Sequence, residues 1–293
     1  IVRRPNNEQL FSLGKVFEEK GYESKYIYGG YGYFDNMNYF FANNHYEVVD
    51  RSSLGEEDID YENVWGVADE NLFTLATREI EKTVANGKPV FAHIMTTSNH
   101  RPFTYPEGRI DIPSHSGREG AVKYTDYAIG KFIKSSRGKS WFDNTIFVIV
   151  ADHCASSAGK SELPVNKYHI PMLIYSPKNI GPTRMDRLMS QIDIGPTLLG
   201  LLNFSYTSKF FGYDIFQLEK GRERAFISTY QSLGFIKGGD LVILSPQKHV
   251  DEFKADYSTG NTVPIALKQQ LVDESIAWYQ VSSNAFREGL FKY

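Results

Sequence analysis

Apolar positions along the chain switch between a helical spacing and short continuous runs. Leu10, Leu13 and Phe17 share one face of a predicted helix that ends at Lys20, with Asn6 or Asn7 as its cap and Gly21 as its stop. Tyr26-Ile27-Tyr28 predicts a short strand that breaks at Gly29-Gly30. Phe73, Ala76, Ile80 and Val84 keep helical spacing behind Asp69, which is expected to cap a helix over 69–84. A strand over 89–95 (PVFAHIM), a helix over 119–135, a strand over 145–150 (TIFVIV), a strand over 170–175 and a short helix over 193–202 follow. Strands that are apolar without alternation have both faces covered, as in a parallel sheet between helices. The fold class is therefore α/β, a mostly parallel central sheet flanked by helices.

The last third changes character. Short strands are expected over 225–229, 235–237 and 241–244, with a hairpin turn at Gly238-Gly239-Asp240 and a closing helix over about 267–286. This reads as a small C-terminal antiparallel α+β lobe, and the expected division is 1–204 for the α/β core and 205–293 for the lobe. The polar loops 50–64 and 104–118 are candidate surface lids. The stripe Trp278, Phe286 and Leu290 is expected in the core.

Composition narrows the functional classes. Of 293 residues, 32 are Lys or Arg and 35 are Asp or Glu, a net charge of -3. No cationic excess exists to neutralise phosphates, so a nucleic acid is not an expected partner. Aromatic residues make up 14%, which supports a packed core and excludes a disordered chain. Cys154 is the single cysteine, so no internal disulfide can form. The longest apolar stretch, 145–151, falls well short of the ~20 residues that span a bilayer. No signal peptide is visible and the chain does not begin with Met, so it is read as a piece of a longer protein.

Ligands of parallel α/β sheets bind at the carboxyl ends of strands. Three polar segments follow such ends: Gly29 to Asn36, Thr96 to His100, and Ala151-Asp152-His153-Cys154. Asp152 and His153 pair an oxygen with a nitrogen donor just past a buried strand, where the backbone is leaving the sheet. Both can reach one divalent cation. The alternatives are a local cap, or an acid and base serving a Ser nucleophile, although no Gly-x-Ser-x-Gly elbow occurs. His100 beside Arg101 suits an oxyanion, the imidazole as donor or proton carrier and the guanidinium as a fork; a surface loop is the alternative. Lys160, after Ser156-Ser157-Ala158-Gly159, is a candidate for a phosphate or sulfate oxygen, though the Walker spacing fails. Asp35 and Asn36 could orient a polar substrate group or serve turn chemistry. His169 precedes the strand over 170–175 and would enter from that strand's amino end, which favours a structural role and makes it a secondary candidate. His93 reads as a core histidine.

Together, Ala-Asp-His at a strand end, Thr97-Ser98-Asn99-His100-Arg101-Pro102-Phe103, the run 190–199 (SQIDIGPTLL) and the run 28–37 (YGGYGYFDNM) resemble the sulfatase-type branch of the alkaline phosphatase superfamily. More narrowly, the chain is similar to the lipoteichoic acid synthase and phosphoglycerol transferase group. The resemblance implies that Asp152 and His153 are the late metal-ligand pair and that His100 faces the substrate phosphate. It also implies that 34–37 belongs to a substrate-pocket loop, where Asp35 and Met37 stand near the places of a Trp and an Arg used by lipoteichoic acid synthases. The implied cofactor is a divalent metal (Mn, Mg or Zn). The implied reaction is transfer of a phosphoglycerol or other phospho-alcohol group from a phospholipid-derived or glycan substrate, with a sulfatase or a non-catalytic binding module of the same fold as alternatives. The family's acidic metal ligand and Thr nucleophile are expected upstream of residue 1, in a parent held by membrane helices with this domain outside the cytoplasm. Alone, the chain is expected to bind metal weakly and to turn over little.

Overall fold

The structure is a computed structural model that describes residues 1–155 and 163–293. It divides into two compact units, residues 1–144 with 292–293, and residues 145–291. The expected boundary after residue 204 falls inside the second unit. Lys160 lies outside the described residues.

In the first unit the order is α1 (Leu13–Glu19), β1 (Glu23–Tyr28), α2 (Met37–Ala42), β2 (Glu47–Val49), β3 (Glu62–Asn63), β4 (Gly66–Val67), α3 (Asp69–Ala85), β5 (Val90–Met95) and α4 (Arg118–Ser136). β1 is the central strand of a parallel sheet, with β2 on one side and β5 on the other. Ile27 of β1, Val49 of β2 and Val67 of β4 pack together with Leu72, Leu75 and Ala76 of α3. Burying such a cluster is the main favourable term in holding sheet to helix. β1 also buries Lys25, whose ammonium lies 2.7 Å from Glu47 and 3.1 Å from Glu79. Burial pulls the Lys25 ammonium toward neutrality, but the two carboxylates outweigh it and its pKa is raised. α4 packs on α3 through stacked Phe73 and Phe132, ring centroids 4.8 Å apart.

Local signals mislead at four places. α1 is capped by Ser12, whose hydroxyl accepts from the Lys15 N–H, whereas Asn7 is buried and donates to the Val2 carbonyl. Asp69 is not a cap: Ala68 holds that place, and the Asp69 carboxylate accepts N–H groups from another segment. Loop 50–64 is folded into 3-10 turns and the strand β3, and loop 104–118 is pinned by Tyr105, buried and stacked on Tyr124. Neither is an open lid.

The second unit contains β6 (Phe147–Val150), β7 (Met172–Tyr175), α5 (Ile194–Leu201), β8 (Arg224–Ser228), β9 (Leu233–Lys237), β10 (Asp240–Ser245), β11 (His249–Ala255), β12 (Thr262–Pro264) and α6 (Gln269–Arg287). β8 to β12 form an antiparallel five-stranded sheet in the order β12-β11-β10-β9-β8. α6 covers it, with Val272 packed on Phe235 and Val242. Trp278 joins this core, but Leu290 is exposed beyond the helix end. β6 and β7 are antiparallel, Val150 opposite Met172, which corrects the expectation of parallel neighbours. An apolar run reads the same in either direction, so pairing sense is invisible in its pattern. The α/β class stands, with its parallel sheet and its separate antiparallel lobe. Among the described residues no helix is long and apolar enough to cross a membrane.

Candidate active site

Two clusters of chemistry-bearing residues are formed, one in each unit. In the first unit Tyr28 pairs with Met95, so the chain leaves β1 and β5 at one edge. After β1, the turn through Gly32 is held by Asp50: one carboxylate oxygen accepts the Gly32 N–H and the Asn38 amide, 2.9 Å each. Burial alone would push the Asp50 pKa up, but hydrogen bonds from Ser52, Asn38 and Gly32 outweigh it and hold it below the ordinary range. Asp35 and Asn36 both adopt positive φ, and both engage the N-terminal segment: the Asp35 carboxylate pairs with Arg3, and the Asn36 amide donates to the Val2 carbonyl at 3.0 Å.

After β5, the backbone N–H groups of Thr97 and Ser98 both donate to one oxygen of Asp69, 3.1 Å each. Asp69 is fully buried, which raises its pKa despite those donors and Thr125. The anchored segment turns through His100, whose N–H donates to the Thr97 carbonyl at 3.1 Å. The His100 imidazole is exposed, with Nδ1 3.2 Å from the Arg101 carbonyl. A carbonyl only accepts, so Nδ1 carries the proton and Nε2 is left for a ligand. Arg101 is exposed beside it. Trp65, from the turn between β3 and β4, packs on the His100 ring, with centroids 3.8 Å apart. No local pattern singled out Trp65, because an aromatic in a polar loop has no partner until the chain folds. His93 lies edge-on to Tyr26 and Phe41.

In the second unit Asp152 and His153 follow β6 directly. Asp152 Oδ2 lies 3.4 Å from His153 Nε2, while Oδ1 accepts the His153 N–H at 2.8 Å. His153 Nδ1 lies 2.8 Å from the Cys154 carbonyl, so it too carries the proton and turns Nε2 to the carboxylate. A cation or a proton between these two facing acceptor atoms would satisfy both. Donors about 2.1 Å from a shared metal are about 3.4 Å apart at a tetrahedral angle, so the pair fits a chelate of one divalent cation. Both side chains are open to solvent, and among the described residues no group of three His, Cys, Asp or Glu forms a metal cluster. The loop is fastened by Gln191, whose amide donates to the carbonyls of Ala151 (3.1 Å) and Asp152 (2.6 Å).

His169 is exposed and precedes β7. Because β7 runs antiparallel to β6, its amino end lies beside the carboxyl end of β6, where Asp152 leaves. Entry from the opposite end, the reason for treating His169 as structural, therefore does not hold.

The sulfatase family model matches residues 4–204. Phosphoglycerol transferase I of Xanthomonas campestris pv. campestris is 27% identical over 200 residues, 65% of this chain and 28% of that protein. Lipoteichoic acid synthase 1 of Bacillus subtilis is 24% identical over 301 aligned residues, 91% of this chain and 44% of that protein. The chain thus spans less than half the length of these two relatives. Among solved structures, an alkaline phosphatase superfamily protein from Vibrio parahaemolyticus superposes with a TM-score of 0.94 at 33% identity, covering 100% of this chain and 72% of that one. A lipoteichoic acid synthase from Listeria monocytogenes shares the fold, with a TM-score of 0.74 at 20% identity over 94% of this chain and 73% of that one. The chain belongs to the sulfatase family of the alkaline phosphatase superfamily.

Proposed function

We propose that this chain is part of a metal-dependent phospho-alcohol transferase or phosphodiesterase that acts on a lipid-derived phosphodiester. The observation that carries the reading is the Asp152–His153 pair, with its chelating separation and its imidazole tautomer set by the Cys154 carbonyl. It is supported by similarity to proteins named phosphoglycerol transferase and lipoteichoic acid synthase.

Asp152 Oδ2 and His153 Nε2 would hold a divalent cation, with Mn, Mg and Zn all compatible with these donors. A cation held there would neutralise charge on a phosphoryl oxygen. His100, exposed and with Nδ1 engaged by the Arg101 carbonyl, would use Nε2 to accept a proton from an attacking alcohol or water, or to donate one to the leaving alkoxide. In either step the new P–O bond forms as the old one breaks, and the proton moves between Nε2 and an alcohol oxygen. Arg101 supplies a fork for non-bridging oxygens. Asp69 and Asp50 hold the backbone of the two loops at that edge. The covalent Thr intermediate of the resemblance is assigned to no residue of this chain, and a membrane-held, extracytoplasmic parent is part of the proposal.

Metal content of Asp152→Ala and His153→Ala in the full-length protein tests the site, with both expected to lose the bound ion. Unchanged content in both overturns the assignment. On the full-length protein, turnover of a soluble phosphodiester is expected to exceed that of an aryl sulfate, and the reverse order would make it a sulfatase.

A further inference from the structure

We infer that Trp65 is the positioning residue for His100, holding its imidazole in one plane and one tautomer. The inference rests on the role given to His100 above, and it is carried by a separate set of contacts.

Trp65 touches His100 in two ways. The indole lies against the imidazole, with centroids 3.8 Å apart and planes tilted by 43°. Its Nε1–H also donates to the Arg101 carbonyl, the same oxygen that receives His100 Nδ1. A carbonyl has two lone pairs, and here one group takes each. The indole N–H therefore fixes the oxygen that sets the imidazole tautomer, while the indole face limits how far the ring can swing. Phe34 stands edge-on behind the indole at 5.4 Å and 88°. An exposed histidine on a loop would otherwise exchange rotamers and tautomers freely.

The hairpin carrying Trp65 is seated firmly enough to do this. The Val67 N–H donates to the Gly29 carbonyl at 2.9 Å, and the Thr97 hydroxyl donates to the Val67 carbonyl at 2.9 Å. Asn63 accepts from the Trp65 N–H at 2.8 Å and donates to Thr104 at 2.9 Å. The seat depends on missing side chains: a Cβ on Gly30 would lie 2.3 Å from the Trp65 carbonyl oxygen. The turn after β1 and the turn after β5 thus hold the hairpin from both sides, and the hairpin holds His100.

The test compares wild type, Trp65→Phe and Trp65→Ala, with circular dichroism to confirm folding. Long-range 1H–15N NMR of the 293-residue chain, assigned with His100→Ala, reads the His100 tautomer without needing activity. Wild type is expected in the Nδ1–H form. Trp65→Ala should shift it toward the Nε2–H form that free histidine prefers, and Trp65→Phe, which keeps a ring without the donor, should fall between. On the full-length protein Trp65→Ala should lower kcat about tenfold to a hundredfold with KM little changed. In a His100→Ala background it should add nothing. An unchanged tautomer in Trp65→Ala, or an equal kcat loss with and without His100, would overturn the inference. Full activity of His100→Ala would instead remove the functional reading and leave the tautomer result to decide Trp65.

Discussion

Arg224 and Asp193 form a two-pronged ion pair inside the second unit: Nη1 donates to Oδ2 at 2.7 Å and Nη2 to Oδ1 at 2.9 Å, with both side chains 1% exposed. The Asp193 carboxylate also accepts the N–H groups of Ser190 and Tyr213, 2.8 Å each, and the guanidinium lies over the rings of Tyr213 and Trp278. The pair ties β8 to the 3-10 turn Gln191–Asp193, the turn whose Gln191 grips the Asp152 loop. Removing one partner strands a buried charge. Arg224→Met and Asp193→Asn should each cost about 3–5 kcal/mol in urea unfolding, and the double variant less than their sum.

Gln191 is the next link. Its side chain touches backbone carbonyls of the loop that carries the proposed metal pair and neither proposed donor atom itself. Gln191→Ala should therefore weaken metal affinity by about tenfold to a hundredfold, the usual effect of removing an outer support, while the melting temperature barely moves. Isothermal titration with Mn, Mg and Zn measures the first and calorimetry the second.

Gly66 has φ +139°, and a Cβ there would lie 2.1 Å from the Gly29 carbonyl oxygen. Both the backbone and the close approach exclude a side chain. Gly66→Ala should cost about 2 kcal/mol or more in denaturant unfolding and should disturb the His100 resonances, since Trp65 precedes it.

Glu70 is buried and accepts from Lys131 (2.7 Å), Arg109 (2.9 Å) and Tyr124 (3.1 Å). Burial would raise its pKa, but these donors outweigh burial and lower it. A carboxyl with a lowered folded-state pKa contributes stability that is full above its unfolded value of 4.5 and is lost as pH falls through the folded one. Glu70→Gln should cost about 1–3 kcal/mol at pH 7 and flatten the loss of stability below pH 4.5, read from urea midpoints across pH.

Much of the architecture was legible before folding because its causes are local. α3, α4 and α6 announce themselves by apolar spacing over five turns each, and the β9–β10 hairpin by Gly238-Gly239. The Asp152–His153 pair was legible too, since neighbours in sequence stay neighbours in space. β2, β11 and β12 left weaker traces, being short or carrying polar residues such as Glu252, which is buried where its carboxylate accepts the Lys268 N–H. Contacts between distant segments had no local signature at all. Asp69 looked like a helix cap because its partners Thr97 and Ser98 are 28 and 29 residues away. Trp65 meets His100 only once Gly30 and Gly66 let the hairpin press against the end of β1. The direction of β7, which brings His169 to the end where Asp152 leaves, follows from hydrogen-bond pairing rather than from the apolar run itself. Local periodicity and adjacency settled which segments form and that Asp152 and His153, the proposed metal pair, stand together after β6. Close packing of remote segments settled which side chains orient that chemistry, because a hydrogen bond or ring contact exists only when both partners arrive.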